Sequence, residues 1–145
     1  MTIKMDNIGI VVEDLTSAIE FFTELGLELE GRAMADGEWA GRVTGLGDQS
    51  VEVAMMRTPD GHGRLELSRF LKPDVIADNR RAPVNALGYL RVMFEVEDLD
   101  DTLQRVSQRG AELVSDEVVQ YQDVYRLCYI RGVEGILIGL AQKLR

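Results

Sequence analysis

The sequence predicts an α+β fold of two tandem βαβββ modules, a curved mixed sheet arranged around a cleft. Three observations lead there. The first is a gapless internal repeat at an offset of 84, in which residues 7–30 (NIGIVVEDLTSAIEFFTELGLELE) lie over residues 91–114 (RVMFEVEDLDDTLQRVSQRGAELV). Seven of the 24 paired positions are identical: Val12/Val96, Glu13/Glu97, Asp14/Asp98, Leu15/Leu99, Gly26/Gly110, Glu28/Glu112 and Leu29/Leu113. The second is that strand patterning yields to helix patterning at the same place in both copies, the Glu-Asp-Leu triplet. The third is a series of turn-forming dipeptides that cuts the remainder into short strands.

Each copy opens on an apolar, β-branched run, residues 8–12 and 92–96, that reads as a strand. A helix follows in the first copy, where Asp14, Thr16 or Ser17 can cap. Leu15, Ala18, Ile19, Phe22 and Leu25 then recur at three- and four-residue spacing before Gly26, which can take the positive φ of a helix stop. In the second copy Leu99, Leu103 and Val106 repeat the pattern up to Gly110, and Asp98, Asp100 and Asp101 suit the positive end of the helix dipole. Strand signals then fall at residues 27–32, 41–45, 51–57 and 64–70 in the first half, and at 112–114, 118–121, 125–131 and 136–141 in the second. Asp36-Gly37, Gly47-Asp48, Pro59-Asp60-Gly61 and Glu134-Gly135 mark turns between them. The expected division is a first module over residues 1–70, a connector over 71–87 rich in Pro, Asp, Asn and Arg, and a second module over 88–145. One helix covers only one face of a four-stranded sheet, so the duplicated copy is expected to complete a ligand-sized concavity.

Composition narrows the function. At 145 residues, 46% hydrophobic and with only 3 prolines, the chain can bury a core and is expected to form one compact unit or two small halves sharing a core. Sixteen Lys and Arg against 25 Asp and Glu leave a net charge of −9, which argues against nucleic acid or an anionic membrane as partner and favours a small neutral or cationic molecule. Cys128 is the single cysteine, so neither an internal disulfide nor a cysteine-rich zinc site is expected, and a reducing cytoplasm suits the chain. No signal-peptide pattern or membrane span is read in the sequence.

The repeated "strand, V-x-D-L, helix, x-G-x" pattern, ending on a turn and strand (Pro59-Asp60-Gly61 before Leu65-Glu66-Leu67; Glu134-Gly135 before Leu137-Ile138-Gly139-Leu140), resembles the vicinal oxygen chelate superfamily. That superfamily includes glyoxalase I, extradiol dioxygenases, methylmalonyl-CoA epimerase, fosfomycin resistance enzymes and bleomycin-binding proteins. The resemblance spans the whole chain and implies a homodimer. It also implies metal ligands early in the first strand and midway along the last strand of each repeat. Here those places hold Asn7, Glu66, Arg91 and Gly139. An amide is a poor ligand for a soft divalent metal, a guanidinium repels one, and glycine offers no donor side chain. Only Glu66 matches, so no metal or other cofactor is expected, and a divalent metal belongs to the alternative reading.

Glu66 and Arg91 would face one cleft in such a fold, as an ion pair or as separate grips on a ligand's cation and anion. As catalytic residues they would serve as general base and oxyanion stabiliser. Trp39, Met56, Met93 and Tyr129 join Asn7, Glu66 and Arg91 as candidate ligand-binding residues, with core packing or subunit contact as the plainer role of the apolar ones. Tyr125 and Tyr129 share a strand face; Cys128 points the other way, with no activator beside it. His62, in a glycine-flanked turn, reads as solvated. The leading function is metal-free binding of a small polar or cationic organic molecule. The alternative is a metal-dependent lyase, epimerase or dioxygenase using Glu66.

Overall fold

The computed structural model describes residues 2–144. They fall into two compact units, Met1–Ala77 and Asp78–Arg145, the boundary lying inside the expected connector.

In the first unit the order is β1 (Ile8–Val11), α1 (Leu15–Leu25), β2 (Glu28–Gly37), α2 (Glu38–Thr44), β3 (Gln49–Arg57) and β4 (Arg64–Lys72). The strands form a sheet in the order β1-β4-β3-β2, with β1 parallel to β4 and the other pairs antiparallel. Of the candidate caps for α1, Asp14 takes the position: its carboxylate accepts from the Ser17 amide at 3.0 Å and the Ser17 hydroxyl at 2.8 Å. Gly26 ends the helix at φ 131°. Leu15, Ala18, Phe21, Phe22 and Leu25 of α1 are buried, and the helix packs on β2, β3 and β4. Ala54, Met56, Leu65 and Leu67 supply the apolar side of β3 and β4, each at most 2% exposed.

The expected strand at residues 41–45 is instead the end of α2 and its C-cap. Gly37, at φ 91°, ends β2 and starts the helix; Gly45, at φ 77°, stops it in the left-handed region. Gly41 lies so close to the Gly47 carbonyl that a Cβ there would overlap it. These glycines therefore punctuate a short helix rather than a strand.

In the second unit the order is β5 (Val92–Glu95), α3 (Leu99–Ser107), β6 (Glu112–Leu113), β7 (Val119–Tyr121), β8 (Tyr125–Arg131), a 3₁₀ turn (Val133–Gly135) and β9 (Leu137–Lys143). The sheet runs β5-β9-β8-β6, with β7 pairing farther along the same strand β8. Here β5 is parallel to β9, as β1 is to β4. Asp98 caps α3 by accepting from the Asp101 amide at 3.0 Å. Leu99, Thr102 and Val106 of the helix are buried, as are Cys128, Ile130, Ile138 and Leu140 of β8 and β9. Part of the expected connector belongs to this unit: Arg80 pairs with Glu134 at 2.7 Å and Arg131 donates to the Ala82 carbonyl at 2.7 Å.

Candidate functional site

Strand alternation gives each sheet one face toward its helix and one away from it, and the second face carries most of the residues singled out in the sequence. In the first sheet, ladder register sets Gly9, Glu66, Met55 and Gly31 side by side across β1, β4, β3 and β2. Glu66 is half-buried at the centre of this row. Its one recorded partner among the described residues is the Ser68 hydroxyl, which donates to Oε1 at 3.3 Å. Two residues along β4 from Glu66, Ser68 is placed on the same face by the pleat. Asn7 sits just before β1, half-buried, and donates from Nδ2 to Asp6 at 2.7 Å.

Met56 does not share this face. It is fully buried on the helix side, opposite Leu65 in the ladder, and so is a core residue rather than a ligand contact. The methionine beside Glu66 is Met55. The Met55-Met56 dipeptide guarantees one methionine on each face, and only the register decides which. Trp39 lies on α2, outside the sheet row, with 59% of its surface exposed.

In the second sheet the equivalent row is Met93, Gly139 and Tyr129, across β5, β9 and β8. A Cβ on Gly139 would come within 2.8 Å of Met93 Cε and 2.9 Å of Tyr129 Cε1, so these two side chains close over the place a residue with a side chain would occupy. Met93 remains 46% exposed. Arg91, exposed just before β5, lays its guanidinium 5.1 Å from the Tyr129 ring centroid and donates from Nε to the Tyr129 hydroxyl at 3.0 Å. The sequence offered no signal for this link, which joins residues 38 apart.

These donors do not fit a divalent cation. The first row supplies a single carboxylate, Glu66, while the second supplies a fixed cation and a glycine whose space is filled. Among the described residues no group of three or more His, Cys, Asp or Glu is arranged to hold a metal.

His62 and Cys128 lie away from these rows. The Asp60 carboxyl is held below its usual range by the Thr58 hydroxyl and then the His62 amide, a turn that leaves the His62 side chain exposed. Cys128 lies on the helix side of β8, where burial pushes its thiol up, away from the thiolate a nucleophile needs. Two open depressions lie elsewhere. One of about 360 Å³ is bordered by Glu38, Arg42 and Asp48 around glycines 41, 45 and 47; the other, about 540 Å³, is bordered by Asp78, Arg80, Arg81, Ala82 and Glu134. No helix among the described residues is long and apolar enough to cross a membrane.

Comparison with known proteins agrees with this architecture. A family model described as "Glyoxalase/Bleomycin resistance protein/Dioxygenase superfamily" matches residues 6–129. The crystal structure of a glyoxalase family protein from Bacillus cereus is 69% identical, with a TM-score of 0.97 over 100% of this chain and 97% of that one. A glyoxylase/bleomycin resistance protein/dioxygenase domain from Frankia sp. matches at 15% identity and TM-score 0.65, covering 99% of each chain. A fosfomycin resistance protein from Listeria monocytogenes matches at 15% identity and TM-score 0.60, over 97% of this chain and 93% of that one; at such identity the last two speak for the fold alone. No curated protein matches the chain.

Proposed function

Since the chain belongs to the glyoxalase/bleomycin resistance protein/dioxygenase superfamily, we propose that it binds a small polar or cationic organic molecule on the Glu66 face of its first sheet, without a metal. The carrying observation is Glu66 itself. A half-buried carboxylate at the centre of a sheet, held by one weak hydroxyl bond and paired with no cation among the described residues, retains most of its capacity to accept hydrogen bonds. Gly9 on one side leaves room for a ligand to approach, and Met55 on the other supplies an adaptable apolar contact. The net charge of −9 favours approach of a cation.

The alternative reading, metal-dependent lyase, epimerase or dioxygenase chemistry through Glu66, asks for ligands that Asn7, Arg91 and Gly139 do not provide. The deciding experiment is a thermal-shift titration of chelator-treated protein with zinc, nickel, manganese and iron(II), alongside elemental analysis of the untreated sample. We expect no stoichiometric metal and no saturable shift; about one metal per chain with a saturable shift would overturn the proposal. A 3-phenylpropylamine titration should raise the melting temperature of the wild type and fail to do so in Glu66→Gln. Equal stabilisation of both would remove Glu66 from the site. We also read the chain as a homodimer in a reducing compartment, on family membership and the lone thiol. Sedimentation equilibrium returning only a 16.2 kDa species would count against the dimer.

A further inference from the structure

The second sheet carries an unspent cation. Most basic side chains with recorded contacts in this acidic protein are neutralised nearby: Arg64 by Glu30 and Asp6, Arg69 by Glu52, Arg126 by Asp100. Two further cations on the Met93 face are also engaged: Lys143 pairs with Glu95 at 3.4 Å, and Arg131 donates to the Ala82 carbonyl at 2.7 Å and the Gly135 carbonyl at 3.3 Å. Arg91 differs. Among the described residues its recorded partner is Tyr129 alone, a neutral phenol that accepts from Nε at 3.0 Å while its ring lies under the guanidinium. This contact fixes the plane of the fork and consumes its inner N–H, leaving the two terminal nitrogens to donate side by side, the geometry that grips a carboxylate end-on. Alongside it, Met93 offers a half-exposed thioether over the glycine floor at Gly139. A pre-oriented fork next to an adaptable apolar surface suits an anion borne on an apolar body.

We infer that Arg91, oriented by Tyr129, anchors the carboxylate of a small organic acid whose apolar body lies on Met93. This deepens the ligand-binding reading above and rests on it, while placing a separate specificity element on the second sheet. Arg91 is the binding residue and Tyr129 the positioning residue. Arg91→Lys keeps the charge but loses the fork, and Tyr129→Phe keeps the ring but loses the hydroxyl.

The test uses three probes of one shape, 3-phenylpropionate, 3-phenylpropionamide and 3-phenylpropylamine, titrated calorimetrically into the full chain, with inorganic phosphate as a fourth. The acid should bind at least about tenfold more tightly than the amide. That preference should vanish in Arg91→Gln, survive only in small part in Arg91→Lys, and fall several-fold in Tyr129→Phe, while the affinity for the amine stays unchanged in all three. Because Arg91 is exposed, Arg91→Gln should melt like the wild type, so loss of binding would not reflect unfolding. An amide or amine that binds as well as the acid would overturn the carboxylate anchor and leave the small-molecule reading standing. So would an acid preference that survives Arg91→Gln, or phosphate binding as tight as that of the acid. No binding by any of the three organic probes would overturn both readings together.

Discussion

The two sheets present the same lattice of strand positions and fill its central row with opposite chemistry. In the first, Glu66 projects between Gly9 and Met55; in the second, Gly139 lies beneath Met93 and Tyr129. On the helix-facing sides the two are alike: Leu67 pairs with Ile10 and Leu140 with Phe94, both leucines fully buried. The helix caps also correspond, Asp14 with Asp98. The difference teaches that the duplicated unit is held to its shape by the face that packs on the helix, where any change of volume is felt. The opposite face was free to diverge into a carboxylate in one copy and an arginine on a tyrosine in the other. The outer edge differs too: β2 pairs with β3 along its length with one register shift between Leu29 and Gly31, while β6 and β7 share the edge of β8 with a gap between them.

The largest effects should come from breaking what the two copies share. Leu67→Ala and Leu140→Ala should each destabilise by about 2–5 kcal/mol in urea unfolding, with similar costs for the two. A large cost in one unit and a negligible one in the other would dissolve the equivalence of the cores. Next is the transplant of the first row's carboxylate into the second. Gly139→Glu must push the Tyr129 ring and Met93 aside, with an expected cost of about 1–3 kcal/mol. A neutral result would mean that the closure over Gly139 is loose. Its mirror, Glu66→Gln, should stay within about 0.5 kcal/mol of wild type, since no ion pair among the described residues depends on that carboxylate.

The caps give the smallest and most pH-dependent contrast. The Ser17 amide and hydroxyl hold the Asp14 carboxyl below its ordinary 3.8. The cap therefore contributes fully above that ordinary value, and its contribution is lost as pH falls through the lowered one. The melting temperature of Asp14→Ala should lie below wild type at pH 7, and the gap should close on acidification below about pH 4. A gap that persists undiminished at low pH would show that the helix end is held by something other than the charged cap. Asp98→Ala should lower the melting temperature at pH 7 in the same direction.

Much of the fold was legible because it repeats. Two gapless copies with matching caps, apolar spacing and stop glycines specify strand, helix and turn by local chemistry alone, and they drew α1 and α3 close to their observed bounds. The segment that misled was residues 41–45. Gly41 and Gly45 look like strand punctuation, yet Gly41 is needed for close approach to the Gly47 carbonyl and Gly45 for a left-handed helix stop. Nothing local separates those uses of glycine. The site was legible residue by residue but not as a set. Met56 and Met55 exchanged roles because strand period alone does not say which face meets the helix.

By itself, then, the sequence determined the duplicated architecture, the approximate spans of α1 and α3, and the short acidic and hydroxyl-bearing segments from which their caps are drawn. Each of these depends on interactions within a few residues of the chain or on side-chain chemistry alone. Only the tertiary structure decided that Met55 rather than Met56 flanks Glu66, that Met93 and Tyr129 fill the space above Gly139, and that Arg91 rests on Tyr129. Those facts are set by the register between strands distant in sequence, where a shift of one residue would turn every side chain to the opposite face.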